Sequence, residues 1–287
     1  APTSPIMQQG ESRTSEIEHA DGIVHVAQLT DTHLCARRGG TLLAMDTDHS
    51  LQAVIDLVKQ RGRGPDLVLG TGDMADGGAR SAYERLGPYF RQVSEHSYFI
   101  PGNHDDRAQM VAELGEFPAL AGEILVGAWQ IVLLDSQVPG EVGGHLGAAQ
   151  LAHLRGALRR GRERGRFALV CMHHHPVPIG CDWLDQQLIA DADELFQVLD
   201  EFSHVRGLLW GHVHQELDIE RNGMRLLGSP STCVQFAPGQ PRFKADDLPP
   251  GYRWLELGPE GRIATEVVRA TGVSVTVDLK SDGDLDP

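Results

Sequence analysis

The stretch that decides the fold is IVHVAQLTDTH, residues 23–33. Its first eight residues are rich in β-branched and apolar side chains, which predicts a buried strand over residues 23–30 that runs directly into Asp31 and His33. Several later apolar runs end in the same way, at a residue able to bind a metal ion. This arrangement is typical of α/β proteins, whose sites lie in the loops beyond the carboxyl ends of strands.

Outward from this strand, short apolar runs alternate with amphipathic segments. Leu51, Val54, Ile55 and Val58 recur at i, i+3, i+4 and i+7, which predicts a helix, and a second helix is predicted over residues 148–160. Further strands are predicted at residues 66–70, 97–100, 129–134, 167–172 and 205–210, and then at 215–220, 224–228, 252–257 and 263–269. Strand–helix alternation followed by a strand-rich end predicts one α/β domain of mixed sheets with helices packed outside.

Composition excludes several classes of protein. The 287 residues include 25 basic and 40 acidic side chains, a net charge of −15, which argues against broad binding to nucleic acid or to anionic membranes. No apolar run approaches the roughly 18 residues of a membrane span. The four cysteines are scattered and form no CxxC pair, so we expect neither a disulfide framework nor a structural zinc knuckle.

The two ends of the chain differ in composition from the rest. Residues 1–21 have neither the basic nor the apolar region of a secretory signal, and we expect a disordered lead-in, in part left from cloning or from a processed leader. Residues 271–287 are expected to form a final strand or an acidic tail. With no secretory signal and unpaired cysteines, the cytoplasm is the expected compartment.

Five predicted strands run into side chains that carry oxygen or nitrogen donors. In chain order these are Asp31 and His33, Asp73, Asn103 to Asp105, His173 to His175, and His212 and His214. A single aspartate or a single GNH at such a place is more often a turn, but five together predict one convergent site. Because the donor set lacks sulfur, it suits iron, manganese or zinc.

The order D-x-H, GD, GNH[DE], H before HP, and GHxH resembles the motif series of the calcineurin-like metallophosphoesterases. The stretches LTDTHL, PGNHD, HHHPVPIGCDWLDQ, GHVHQELD and GSPSTCVQF further resemble the bacterial 3′,5′-cyclic AMP phosphodiesterase branch, so the likeness extends over residues 26–268. It implies a four-layer α/β/β/α sandwich, in which two mixed sheets are flanked by helices. Residues 22–270 would form this single domain.

The resemblance also implies a dinuclear metal centre, with iron and manganese as the expected metals and zinc as an alternative. One ion would be held by Asp31, His33, Asp73 and His214, and the other by Asp73, Asn103, His173 and His212. Asp73 would therefore bridge the two ions. The family's expected residue occupies every one of these positions.

His104 matches the family's catalytic histidine, and we expect it to protonate the leaving 3′-oxygen or to stabilise the charge that develops there. Asp76 is its expected carboxylate partner, with Asp105 as the alternative and a turn as the competing role for Asp76. Asn103, His104 and His214 are expected to contact the substrate. His174 is a further candidate for this contact, for which a packing role is equally open.

The implied activity is hydrolysis of 3′,5′-cyclic AMP to 5′-AMP by a metal-bridging hydroxide. The alternative is a broader phosphodiesterase that acts on 2′,3′-cyclic nucleotides or other small phosphodiesters, since the same ligands serve both. Trp183, Phe236 and Phe243 could form a wall against the adenine or belong to the core. A non-catalytic scaffold would lack some of these ligands, and a serine hydrolase would need a GxSxG elbow that the sequence does not contain, so neither class is favoured. The sequence leaves open whether the protein forms a homodimer.

Overall fold

The computed structural model describes residues 14–20, 22–115 and 122–283. The strands within these ranges are β1 (Thr14–Ile17), β2 (Val24–Gln28), β3 (Thr41–Leu42), β4 (Met45–Asp46), β5 (Leu67–Gly70), β6 (Ser97–Phe99), β7 (Glu123–Val126), β8 (Trp129–Leu133), β9 (Phe167–Met172), β10 (Val205–Trp210), β11 (Leu217–Arg221), β12 (Met224–Gly228), β13 (Gln235–Phe236), β14 (Ala245–Asp246), β15 (Gly251–Leu257) and β16 (Ile263–Arg269). The helices are α1 (Thr47–Lys59), α2 (Arg80–Arg91), α3 (Arg107–Glu113), α4 (Gly147–Glu163), α5 (Asp182–Asp185) and α6 (Ala192–Leu199).

Two mixed sheets dominate the architecture, as the strand pattern predicts. One has the strand order β16-β15-β2-β5-β6, in which β2, β5 and β6 run parallel. The other has the order β1-β7-β8-β9-β10-β12-β11, in which β8, β9, β10 and β12 run parallel. In each sheet the carboxyl ends of the parallel strands therefore lie along one edge.

The side chains of neighbouring strand positions alternate between two cores. Leu67 and Leu69 of β5 pack between the two sheets together with Leu169 of β9, whereas Val68 and Val170 point to the outer faces. The outer face of the five-stranded sheet is covered by α1, α2 and α3, and that of the seven-stranded sheet by α4, α5 and α6. These layers confirm the α/β/β/α sandwich and the single domain.

The expectation of a disordered lead-in over residues 1–21 is wrong for the part of this segment that the structure describes. Thr14–Ile17 form strand β1, which pairs in parallel with β7 at the edge of the large sheet, and Ile17 is buried there. The segment has a single apolar side chain, that of Ile17, so its sequence does not predict a strand, and the pairing with β7 supplies the stabilisation. Residues 1–13 lie outside the described residues.

The C-terminal segment contains no strand over residues 271–283, and residues 284–287 lie outside the described residues. The backbone N–H of Asp278 donates to the carbonyl of Leu43 at 2.7 Å, and Val275 and Val277 pack against the outer core of the seven-stranded sheet. The described part of this tail is therefore docked on the domain. In the described ranges, no helix is long and apolar enough to span a bilayer.

Candidate metal centre and active site

The predicted ligands follow the carboxyl ends of five parallel strands. Strand β2 precedes Asp31 and His33, β5 precedes Asp73, β6 precedes Asn103 and His104, β9 precedes His173, and β10 precedes His212 and His214. Because the two sheets pack face to face, these loops meet at one edge of the sandwich. The structure thus brings together all seven residues predicted to bind metal.

The first group of donors contains Asp31, His33 and His214, whose ligand atoms lie within 4.8 Å of one another. The Nε2 atom of His214 is 3.1 Å from Asp31 Oδ1 and 3.4 Å from His33 Nε2. Asp73 Oδ2 lies 3.8 Å from His33 Nε2. All four side chains are buried.

The second group of donors is formed around His173. Its Nε2 atom is 3.2 Å from Asn103 Oδ1, 3.3 Å from Asp73 Oδ2 and 3.2 Å from His212 Nδ1. Asp73 Oδ2 therefore faces both groups. Donor atoms around a single ion, with bonds of about 2.0–2.2 Å, lie about 3 Å apart, so both groups fit one ion each with Asp73 shared.

Each ligand histidine uses its second ring nitrogen to hold its orientation. His33 Nδ1 is 2.9 Å from Asp76 Oδ1, His173 Nδ1 donates to the carbonyl of Thr71 at 2.7 Å, and His214 Nδ1 donates to that of Val234 at 2.8 Å. His212 Nε2 is 2.9 Å from Gln187 Oε1. Such partners fix the tautomer, so the nitrogens that face the centre are free to accept a metal.

The electrostatics of the two groups favour a positive ion. Burial opposes ionisation of Asp73, but His173 and His104 beside it lower its pKa well below the usual range. Burial likewise opposes protonation of His33 and His173, yet the surrounding carboxylates raise the pKa of each to about 9. Burial lowers the pKa of His212 well below its ordinary value. A charged carboxylate in buried surroundings is a strong site for a cation.

Five of the seven predicted ligands have left-handed backbone conformations. They are Asp31 (φ 54°), His33 (φ 44°), Asp73 (φ 52°), His212 (φ 66°) and His214 (φ 48°). Each such residue costs about 1–2 kcal/mol relative to a right-handed one. Strain of this kind is concentrated at functional sites, where the surrounding structure enforces it.

The glycines of the GN and GH motifs are required because a ligand carboxylate lies directly against each of them. A Cβ atom on Gly102 would overlap the carboxylate of Asp73, and one on Gly211 would overlap that of Asp31. The motif therefore encodes both the ligand and the space that the ligand occupies.

His104 lies at the cavity wall, with its side chain 30% exposed. Its Nδ1 donates to the backbone carbonyl of Asp76 at 2.8 Å, whereas the Asp76 carboxylate lies 3.8 Å away and is closer to His33. Burial opposes ionisation of Asp76, but its hydrogen bond to His33 lowers its pKa. Asp76 therefore contacts both histidines, through different oxygen atoms.

The side chain of His174 forms hydrogen bonds within the protein on both ring nitrogens. It is fully buried, its Nε2 donates to the carbonyl of Val142 at 2.8 Å, and its Nδ1 accepts from Ser136 Oγ at 2.7 Å. Burial lowers its pKa to about 3, as expected for a neutral ring with both nitrogens occupied. This geometry favours the packing role that the sequence left open.

Asp105, the alternative carboxylate partner for His104, is hydrogen-bonded to other groups. Its carboxylate accepts from the backbone N–H groups of Met74, Ala75 and Gly102 and from the hydroxyl of Tyr83, over 2.7–3.2 Å. It thus joins the loop after β5 to the loop after β6. Asp105 in this role and Gln187 beside His212 were not identified from the sequence.

A cavity of about 560 Å³ opens directly onto both groups of donors. Trp183, Phe236 and Phe243 line it together, with ring centroids 5.1–5.4 Å apart in edge-to-face arrangement. Phe236 also stacks on His214 with a centroid distance of 4.1 Å and an interplanar angle of 8°. The three aromatic residues therefore both pack together and face the cavity.

Residues 24–216 match the family described as calcineurin-like phosphoesterase. The chain belongs to this family. Among solved structures, this phosphoesterase is similar to a dimetal phosphatase from Danio rerio, with a TM-score of 0.61 and 16% identity over 88% of this chain and 100% of that one. That likeness concerns the fold.

Two bacterial relatives of this phosphoesterase are more similar in sequence. One from Pseudomonas aeruginosa is 43% identical over 95% of this chain and 99% of that protein, and one from Escherichia coli K12 is 41% identical over 91% and 94%. Both are named 3′,5′-cyclic adenosine monophosphate phosphodiesterase CpdA. The phosphoesterase thus matches these relatives over nearly their whole length.

Proposed function

We propose that this phosphoesterase hydrolyses 3′,5′-cyclic AMP to 5′-AMP with two bound metal ions. The observation that carries the proposal is that two groups of buried donors share Asp73 and open onto a cavity with an aromatic wall. The cavity volume of about 560 Å³ suits a small ligand. The names of the two bacterial relatives support cyclic AMP as that ligand.

Asp31, His33, Asp73 and His214 would hold one ion, and Asp73, Asn103, His173 and His212 the other, with iron and manganese as the proposed metals and zinc as an alternative. Metal ions at such a centre supply positive charge for the phosphoryl oxygens and a hydroxide nucleophile at neutral pH. An acidic protein can then bind an anionic phosphodiester, because the ions reverse the local charge.

His104 is the proposed general acid. Since its Nδ1 donates to a carbonyl oxygen, which can only accept, the proton for the reaction must come from Nε2. As the bond from phosphorus to the 3′-oxygen breaks, His104 transfers that proton to the oxygen and becomes neutral. The Asp76 carboxylate, 3.8 Å from Nδ1, stabilises the charged ring before the transfer.

The aromatic wall is the proposed site for the purine. Phe236 is already stacked on His214, so the free edges and faces of Trp183 and Phe243 are the surfaces open to a base. Base–aromatic stacking is worth about 1–3 kcal/mol and tolerates different bases. Asn103, His104 and His214 line the same cavity and are the proposed contacts of the phosphate and ribose.

A substrate panel tests the proposal. The protein reconstituted with Mn²⁺ is assayed with 3′,5′-cyclic AMP, 3′,5′-cyclic GMP, 2′,3′-cyclic AMP and bis(p-nitrophenyl) phosphate, and products are identified by chromatography. A kcat/KM highest for 3′,5′-cyclic AMP, with 5′-AMP as the only product and activity lost on chelation, is expected. Equal or higher values for the other diesters would replace this proposal with the broader phosphodiesterase.

The proposal places the reaction in the cytoplasm, where cyclic AMP acts as a messenger. In support, Cys35, Cys171, Cys181 and Cys233 are all free thiols, as is usual in a reducing compartment. A homodimer stays a prediction, which light scattering on the purified protein would check.

A further inference from the structure

Arg253 of β15 is a buried cation with neutral partners. Only 1% of its surface is exposed, and it donates to Ser229 Oγ, Thr265 Oγ1 and the carbonyls of Leu217 and Gly228. Within the described ranges, no carboxylate forms an ion pair with it. Burial lowers its pKa to about 10, so it stays charged at neutral pH. Glu216 and Asp218 favour its charge without forming an ion pair with it, and its direct partners are all neutral acceptors.

A continuous row of hydrogen bonds leads from this guanidinium into the metal centre. Arg253 Nε donates to Ser229 Oγ at 3.0 Å, Ser229 Oγ to Gln28 Oε1, Gln28 Nε2 to Thr71 Oγ1 at 2.8 Å, Thr71 Oγ1 to Thr30 Oγ1 at 2.7 Å, and Thr30 Oγ1 to Asp31 Oδ2 at 2.6 Å. Each of these side chains is at most 1% exposed. We refer to this row as the Arg253–Asp31 chain.

All hydrogens in the Arg253–Asp31 chain point in one direction. Gln28 fixes this direction, because its Nε2 also donates to the carbonyl of Trp210 at 3.2 Å, which an amide oxygen could not do. Thr71 must then donate onward to Thr30, and Thr30 to Asp31. The chain joins a cation at one end to a carboxylate at the other, and aligned hydrogen bonds of this kind strengthen one another.

The chain decides which oxygen of Asp31 faces the metal centre. Oδ2 accepts from Thr30 Oγ1 at 2.6 Å, whereas the backbone N–H of His212 is shared between Oδ2 at 3.1 Å and Oδ1 at 3.2 Å. Oδ1 is left facing His214 Nε2 at 3.1 Å and His33 Nε2 at 3.9 Å. The Thr30 hydroxyl is therefore the contact that distinguishes the two oxygens and holds the carboxylate against rotation.

We infer that Arg253 is a positioning residue for the metal centre, acting through Ser229, Gln28, Thr71 and Thr30 to hold Asp31 Oδ1 toward the bound ion. The inference rests on the proposed metal centre. The competing explanation is that the chain only ties the two sheets together, since Gln28 of β2 also contacts β10. A role limited to stability would lower the melting temperature without changing metal affinity.

The test is calorimetric titration of the metal-free protein with Mn²⁺. Thr71→Val keeps the shape and breaks the chain in the middle, and we expect the dissociation constant of one of the two Mn²⁺ equivalents to rise about 10- to 100-fold, as is usual for partners of metal ligands. Thr71→Ser restores the hydroxyl and should restore the affinity. Thr232→Val is the matched control, because Thr232 is equally buried and its hydroxyl has no hydrogen-bond partner among the described residues.

A double-mutant cycle then assigns the effect to Arg253. Arg253→Met should weaken the same Mn²⁺ equivalent, and adding Thr71→Val should weaken it little further, since both break one chain. Thr30→Val cuts the last link and carries the same expectation if Thr71→Val does not fold. Unchanged affinity in the folded chain-breaking variants, or no rescue by Thr71→Ser, would overturn the inference. A wild-type protein that binds no Mn²⁺ would overturn the metal centre as well.

Discussion

Replacing Asp105 by asparagine tests how the two central loops are held together. The carboxylate accepts four hydrogen bonds, two on each oxygen: Oδ1 from Ala75 N–H and Tyr83 O–H, and Oδ2 from Met74 N–H and Gly102 N–H. An asparagine amide presents one oxygen and one NH₂ group. In either orientation the NH₂ group faces two donors that had an acceptor before.

The expected cost follows from those lost bonds. A hydrogen bond to a charged group contributes about 1.5–3 kcal/mol, so two of them amount to about 3–6 kcal/mol. Burial and the nearby charge of Asp73 raise the pKa of Asp105, so the native carboxylate carries a penalty that the neutral amide relieves. We expect a net loss of about 2–4 kcal/mol, which for a chain of this length corresponds to a melting temperature lower by about 3–7 °C.

Thermal unfolding of the metal-free protein, followed by circular dichroism, measures this loss. Asp106→Asn is the control, since Asp106 is exposed, caps α3 through Gln109 N–H, and asparagine caps equally well. Mn²⁺ binding should weaken in Asp105→Asn alone, because Asp73 and Asn103 lie on the two loops that it joins. An Asp105→Asn melting temperature within 2 °C of the control would refute this account of the loops.

Three further predictions concern single side chains. The His104→Ala variant should retain both Mn²⁺ equivalents, while its kcat for 3′,5′-cyclic AMP falls about 100- to 10,000-fold. Its kcat for bis(p-nitrophenyl) phosphate should fall less, because that leaving group needs no proton. Equal losses of kcat on both substrates would contradict the role of His104 as general acid. Phe243→Ala should raise KM for 3′,5′-cyclic AMP about tenfold and leave KM for the chromogenic diester unchanged in steady-state assays. Burial lowers the pKa of His175 from 6.5 to about 4. Between these two pH values the imidazole is protonated in the unfolded chain and neutral in the folded one. The free energy of unfolding should therefore fall by about 2 kcal/mol as the pH is lowered from 7.5 to 5. Urea unfolding of wild type and His175→Gln at pH 7.5 and 5 checks this, and parallel losses in both proteins would speak against it.

The strand ends could be predicted because two signals coincide there. Apolar runs such as residues 167–172 define the strands, and the polar residue that follows each run marks the edge at which the sheet places it. Helix α2 could not be predicted, because Gly87 and Pro88 are typical of a break. The buried side chains of Tyr83, Leu86 and Phe90 keep this segment helical in the fold.

The supporting contacts of the site could not be predicted for a different reason. The four donors to Asp105 come from three separate segments, and their meeting depends on the positions of β5, β6 and α2. His174 shares a run of three histidines with a predicted ligand, and only the positions of Ser136 and Val142 show that both of its ring nitrogens are already hydrogen-bonded. Residue type and order are readable in the sequence, whereas the direction of a side chain in a loop is not.

The left-handed backbone at the ligands has a consequence for attempts to stabilise this protein. At Asp31, Asp73 and His212 the chain pays in folding stability for a conformation that glycine adopts freely. The backbone contribution taken alone would therefore favour glycine at these positions in a heat selection that ignores turnover, and it opposes the hydrogen bonds that the native side chains form. A variant selected for this reason alone would lose a metal ligand and with it the activity. Selection for thermal stability in this protein must therefore include an activity screen in the same step.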